Sequence, residues 1–163
     1  MDRRPLSGAA RAERLLVLGM GSRLMRDDGI GPALIDALQR EPCPGRWALC
    51  AAETDIACAA DLRMPGDCIV LVDAVKTGNV PGTVHVAALR PEGRGKRPVS
   101  PHDPGAWRMV FEEPHAGGWL VGVEAYDISP GIGLSDTLCG AFPEIYARVR
   151  AQIEEIARAS LQK

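Results

Sequence analysis

The sequence predicts an α/β fold, a three-layer α/β/α sandwich whose twisted sheet is mostly parallel with one antiparallel edge strand. Two short, wholly apolar runs, 15–18 and 68–72, are typical of strands buried on both faces of a parallel sheet. Segments with helical spacing of apolar residues alternate with such runs, as in right-handed crossover units. The 163-residue chain fits one domain, assigned to residues 14–163, after a disordered polar tail over residues 1–13.

The first half of the chain alternates strands and helices. The strand over 15–18 ends at a glycine, and amphipathic spacing predicts a helix over 30–40 that stops before two prolines. A second strand is predicted over 47–52 and a short helix over 56–63. The run 68–72 is rich in branched residues, so we place it at the centre of the sheet.

The second half begins with a strand over 83–88. Its connection to the central strand is too short for a crossover helix, which predicts an antiparallel edge. A basic loop over 89–101 leads to a helix over 104–113, and a last strand follows over 119–125. Ser135 is the expected N-cap of a C-terminal helix. The apolar face with which this helix is expected to pack into the core consists of Leu138, Phe142, Ile145, Val149, Ile153 and Ile156.

Charge and cysteine content exclude several classes of protein. Lysine and arginine total 19 against 21 for aspartate and glutamate, a net charge of −2, which argues against nucleic-acid or membrane-surface binding. No apolar stretch approaches the ~18 residues that span a bilayer, and no signal segment is apparent at the start. The cysteines form no Cys-x-x-Cys pair, so we expect a cytoplasmic protein with reduced thiols. Cys50, Cys58 and Cys68 are expected to fill the core.

Two adjacent carboxylates follow the first strand. Gly19 and Gly21 permit a tight turn, and Asp27 and Asp28 come just before the next helix. Either aspartate could simply cap that helix. A dinucleotide-binding turn is an alternative, but Leu24 stands where the third glycine belongs, and no P-loop lysine follows.

Further acidic residues follow the other strands. Glu53 and Asp55 come after the second strand, where Asp55 also suits a helix N-cap, and Asp73 follows the central strand. The carboxyl ends of parallel strands lie at one edge of the sheet, so Asp28, Asp73 and either Glu53 or Asp55 are expected to converge there. Converging carboxylates need protons or a cation. With the imidazole of His102 they would form an open O/N site for a divalent ion such as Ni²⁺, Zn²⁺ or Co²⁺.

These residues resemble the hydrogenase maturation endopeptidases, which trim the C-terminal tail of [NiFe]-hydrogenase large-subunit precursors after nickel insertion. The similarity covers nearly the whole chain after residue 14. Its motifs are Gly19-Met20-Gly21-Ser22 through Asp27-Asp28-Gly29-Ile30-Gly31, Val72-Asp73-Ala74 with Pro81-Gly82-Thr83, and Ser100-Pro101-His102.

The resemblance implies that Asp28, Asp73 and His102 contact nickel and carry the catalysis. The nickel would arrive with the precursor, and no organic cofactor is implied. The expected partner is that precursor, and the protein is expected to be a monomer. The chain also has no Gly-x-Ser-x-Gly or His-Glu-x-x-His signature of other hydrolases.

The chain departs from the family pattern at three places. Ser22 replaces the usual asparagine, Glu53-Thr54-Asp55 replaces a Gly-Gly-Thr corner, and the segment between His102 and Trp119 is short. Two other functions stay open at this stage. One is a nickel-checking chaperone of the same fold without catalysis, and the other is a nucleotide-binding α/β domain.

Overall fold

The computed structural model describes residues 12–55, 61–89 and 118–161. Its described part contains a five-stranded sheet and two α-helices. The elements in chain order are β1 (Arg14–Met20), a 3₁₀-helix (Arg26–Gly29), α1 (Ile30–Gln39), β2 (Trp47–Glu53), β3 (Asp67–Val75), β4 (Val84–Leu89), β5 (Gly118–Glu124) and α2 (Asp136–Ser160). None of the helices in this described part is long and apolar enough to cross a membrane.

The sheet has the strand order β2-β1-β3-β5-β4. β1 pairs in parallel with β2 and β3, and β3 pairs in parallel with β5. β4 pairs antiparallel with β5 at the edge. This confirms the predicted α/β fold, the central position of the 68–72 run and the antiparallel edge strand.

The predicted end of β3 is wrong. The strand continues through Asp73 to Val75, because it keeps pairing with β5 up to Val75 opposite Glu124. Its pairing with β1 ends earlier, at Val72 opposite Gly19. Asp73 therefore lies where β3 leaves β1 but still runs beside β5. After β1 the chain continues to β2 on one side of this strand pair, and after β3 it continues to β4 on the other side, so this is a topological switch point, where open α/β sheets bind ligands.

Both faces of the sheet are buried. Alternate residues of the strands face a large cluster against α1 and α2, and the intervening ones form a second cluster on the opposite face. The first cluster includes Leu15, Val17, Val70, Val72, Leu34, Ile35, Ile145 and Ile153, and the second includes Leu16, Leu18, Ile69, Leu71 and Leu120. Burial on both faces is what the continuous apolar runs predict.

Several predictions fall on residues outside the described ones. They are residues 1–11 of the predicted tail, most of the helix over 56–63, the loop over 89–101 apart from Leu89, which ends β4, and the helix over 104–113. The described residues include two that precede the predicted domain boundary. Ala12 is buried, and its N–H donates to the carbonyl of Ser160 at 2.8 Å.

α1 begins against the ends of β1 and β3. A Cβ added at Gly31, in its first turn, would lie 2.3 Å from the carbonyl oxygen of Met20 and 2.4 Å from that of Val72. One added at Gly19 would lie 2.6 Å from the carbonyl oxygen of Gly31. Real Cβ atoms do not approach so closely, so both positions require glycine. The close approach brings the segment before α1 to the carboxyl edge of the two strands.

The Gly31→Ala substitution should lower the free energy of unfolding by about 3 kcal/mol, because backbone must move to admit the methyl group. Gly140→Ala is the matched control, since Gly140 is also helical and nothing lies within 4 Å of an added Cβ. That control should gain up to ~1 kcal/mol from helix propensity. Urea denaturation measures both. Equal stabilities of the two variants would contradict the close approach.

Candidate active site

The loop after β1 folds back on itself and holds Asp28. Gly21 has a φ of 116°, and a Cβ there would lie 1.8 Å from the carbonyl oxygen of Asp28. The N–H of Ser22 donates to Oδ2 of Asp28 at 2.7 Å. The side chain that departs from the family pattern at position 22 is not needed for this bond, because the backbone makes it. Asp28 is nearly buried, in the 3₁₀-helix that precedes α1.

Asp73 is the second acidic residue at this edge. It is buried in β3, and its Oδ1 accepts a hydrogen bond from the N–H of Ala74 at 2.8 Å. Val72, its neighbour, contacts Gly31 at the start of α1. Asp28 therefore lies in the 3₁₀-helix that follows β1, and Asp73 lies in β3 just beyond the point where its pairing with β1 ends.

Asp27 has a different role from its neighbour. It is 0% exposed, and its carboxylate accepts four hydrogen bonds from the segment after β5. The donors are the N–H of Tyr126 at 3.0 Å, the N–H of Asp127 at 2.8 Å, and the N–H and Oγ of Ser135 at 2.7 and 2.8 Å. Neither the 3₁₀-helix nor α1 has a side-chain cap in this loop, so the capping interpretation of the aspartate pair is wrong. Asp27 is a structural anchor instead.

Ser135 joins this anchor to α2. Its Oγ donates to Asp27 and accepts from the N–H of Leu138 at 3.3 Å, which confirms the predicted N-cap. Sequence reasoning missed the anchor role of Asp27. The only signal was the doubled aspartate, and the donors lie about a hundred residues away.

The corner after β2 carries a salt-bridged acid. Glu53 has a φ of 53°, in the left-handed region that favours glycine. Nε of Arg23 donates to Oε1 of Glu53 at 2.8 Å, while its terminal nitrogens bind Asp36 at 2.8 and 3.1 Å. The hydrogen bond to Asp36 and that to Glu53 raise the pKa of the Arg23 guanidinium, against its partial burial. The extra charge at this corner is thus offset by a cation. The other acid of the corner, Asp55, is exposed.

Another buried acid, Glu124, fixes the segment after Asp73. Glu124 accepts hydrogen bonds from the N–H and Oγ1 of Thr77, at 2.8 and 2.6 Å, and from the N–H of Gly78 at 2.9 Å. Burial acts to raise the pKa of Glu124, but these donors and the nearby His85 outweigh it, and the pKa is lowered. Nε2 of His85 lies 3.3 Å from Oε2 of Glu124. His85 is half-buried on β4.

The described residues contain no group of three histidine, cysteine or acidic side chains that could hold a metal ion. His102, the third residue of the expected set, lies outside them. Of the cysteines, Cys68 is buried, and burial raises the pKa of its thiol to about 11, which fits a core residue. Cys50 is half-buried in β2, and Cys58 lies outside the described residues.

The Asp27→Ala variant should lose about 3 kcal/mol or more of unfolding free energy, because three N–H groups and a hydroxyl lose their acceptor. Asp136→Ala is the control, since Asp136 is an exposed acid in the first turn of α2 and its loss should cost less than about 1 kcal/mol. Chemical denaturation compares the two. Similar small losses in both would mean that Asp27 is not an anchor.

Replacing Glu53 tests its backbone strain. Glu53→Gly should be more stable than Glu53→Ala by about 1 kcal/mol, because both lose the Arg23 contact and only alanine keeps the left-handed strain. The same comparison at Ala51, in the same strand, should favour alanine. Thermal melts of the four proteins give the two differences. A preference for alanine at position 53 would disprove the strained corner.

Solved structures of hydrogenase maturation proteases share this fold. The hydrogenase maturating endopeptidase HybD from E. coli is 25% identical, over 87% of this chain and 93% of its own, with a TM-score of 0.70. The [NiFe] hydrogenase maturation protease HybD from Thermococcus kodakarensis is 21% identical, over 85% and 98%, with a TM-score of 0.59. HycI from the same organism is 19% identical, over 94% of each chain, with a TM-score of 0.58.

The two Thermococcus structures bear on the fold alone at these identities. No family model and no curated protein sequence matches the chain. The similarity to the E. coli enzyme covers nearly the whole chain, and the glycine and aspartate motifs lie where the switch point of the sheet forms. The chain therefore shares the fold and the motifs of the hydrogenase maturation endopeptidases, and this similarity supports a role as a peptide-bond hydrolase.

Proposed function

We propose that this protein removes the C-terminal tail of a [NiFe]-hydrogenase large-subunit precursor after nickel insertion, and that Asp28, Asp73 and His102 recognise the nickel. The observation that carries this proposal is the placement of Asp28 and Asp73. Both are buried, Asp28 in the 3₁₀-helix that follows β1 and Asp73 in β3 just beyond its last pair with β1. Two carboxylates at one edge of a sheet create a site that favours a cation.

The choice of Asp28 rather than Asp27 is supported by hydrogen bonding. Both oxygens of Asp27 accept bonds from the 126–135 segment, so this carboxylate is committed to the fold. Asp28 is the neighbour on the side of Gly21 and Ser22, where β1 ends. One aspartate of the pair thus fixes the loop, and the other is the candidate for chemistry.

The nickel is part of the substrate in this proposal. Cysteine thiolates of the precursor hold it, and carboxylate and imidazole groups are suitable ligands for its remaining positions. Binding would place the scissile peptide bond beside Asp28 and Asp73. One carboxylate would take a proton from the attacking water and return it to the leaving amide nitrogen, as a general base and then a general acid.

This arrangement explains selectivity for a nickel-loaded precursor. Without the ion, the two carboxylates have no shared partner on the substrate, so the tail is not held at the site. Coupling recognition to the ion also delays cleavage until insertion is complete. The glycine-dependent loop supports this role, because ligands held on a tightly packed backbone are already oriented.

Asp28→Asn, Asp73→Asn and His102→Ala should each keep the fold and slow tail removal by about 100-fold or more, because each removes a charged or basic group from the site. The assay incubates each purified variant with precursor, with and without nickel, and follows the mass of the large subunit. Asp136→Asn is the control for loss of an acid elsewhere and should process normally.

The outcomes separate the alternatives. Normal processing by all three variants would eliminate the proposed site. Nickel-dependent binding by the wild-type protein without any loss of mass would indicate a chaperone rather than a protease.

A further inference from the structure

Two loops at the carboxyl edge carry exposed apolar side chains. We call residues 22–26 and 126–133 the loop pair. Leu24 is 67% exposed and Ile132 is 89% exposed. Tyr126 and Ile128 are 59% and 37% exposed. Single exposed apolar residues are common on protein surfaces, but a group of them on neighbouring loops is typical of an interaction site.

The loop pair is held together by backbone hydrogen bonds. The N–H of Gly131 donates to the carbonyl of Leu24, and that of Arg26 donates to the carbonyl of Gly131, both at 2.9 Å. The N–H of Asp27 donates to the carbonyl of Asp127 at 3.0 Å, and the carboxylate of Asp27 accepts a hydrogen bond from the N–H of Asp127. The apolar side chains therefore project from an ordered surface, so a ligand would bind them with little loss of loop entropy.

This surface adjoins the candidate active site. The N–H of Asp28 donates to the carbonyl of Met25 at 3.0 Å, so the loop pair leads directly into the residue assigned to the nickel. Its charges are largely offset, since Nε of Arg26 lies 3.3 Å from Oδ2 of Asp127. An apolar ligand fits such a surface better than a strongly charged one.

We propose that the loop pair binds the C-terminal tail of the precursor through apolar side chains of the tail. This inference rests on the proposed function, because it names the surface that would grip the segment to be removed. A second copy of this chain is a weaker occupant. Stable interfaces need about 800 Å² from each partner, and four partly exposed side chains offer roughly half of that.

A double substitution tests the inference. Leu24→Ser with Ile132→Ser removes the two most exposed apolar side chains of the loop pair. Met64→Ser is the matched control, because Met64 is 57% exposed and precedes β3 at the opposite edge of the sheet. Steady-state cleavage of nickel-loaded precursor gives KM and kcat for each protein, and thermal melts check the fold.

We expect the double variant to raise KM about tenfold or more, with kcat within about twofold of wild type and an unchanged Tm. The control should match wild type in all three. An unchanged KM, or a fall in kcat alone, would overturn the tail-binding surface. So would a wild-type dimer in sedimentation that the double variant loses, since the surface would then serve a second copy.

The same assay separates this inference from the proposed function. If wild-type protein cleaves the precursor and the double variant has the wild-type KM, only the tail-binding surface is wrong. If wild-type protein leaves nickel-loaded precursor whole, the proposed function is wrong and the surface inference is overturned with it.

Discussion

The close backbone approach between the start of α1 and the ends of β1 and β3 is the constraint on which the site depends. At Gly31 the helix lies so near the carbonyls of Met20 and Val72 that no Cβ fits. The 3₁₀-helix that carries Asp28 directly precedes α1 and contacts β3. Asp73 follows the last β1–β3 pair, Gly19 with Val72. Gly19, which could have belonged to a nucleotide-binding turn, instead permits tight packing of α1 against the sheet.

Several buried carboxylates outside the proposed nickel-binding set hold the fold together. Asp27 and Glu124 accept three or more hydrogen bonds each, and Asp67 is bound by the guanidinium of Arg14 and the N–H of Met64. These donors replace the water that a buried charge loses. Asp27 also holds the 126–135 segment against the loop that contains Asp28. Glu124 holds Thr77 and Gly78, shortly after Asp73. The structural acids therefore stabilise the surroundings of the candidate site.

The sequence predicted the strands well because apolar runs report burial on both faces, and β3 at the centre is the clearest case. It misplaced the end of β3, because a polar Asp73 looked like a terminus while pairing with β5 continued. It could not separate the roles of Asp27 and Asp28, since the donors to Asp27 are remote in sequence. The left-handed backbone at Glu53, whose carbonyl accepts a hydrogen bond from the N–H of Gly21, was also not predicted.

Measuring how the coordination of nickel in the precursor changes when the protein binds it tests the proposed nickel site most directly. X-ray absorption of nickel-loaded precursor would be measured alone and after freezing with wild-type protein before turnover. We expect new oxygen or nitrogen neighbours of nickel with wild type, and fewer of them with the Asp28→Asn/Asp73→Asn double variant, which keeps His102. A nickel environment that is the same in all three samples would contradict the assignment of these two aspartates.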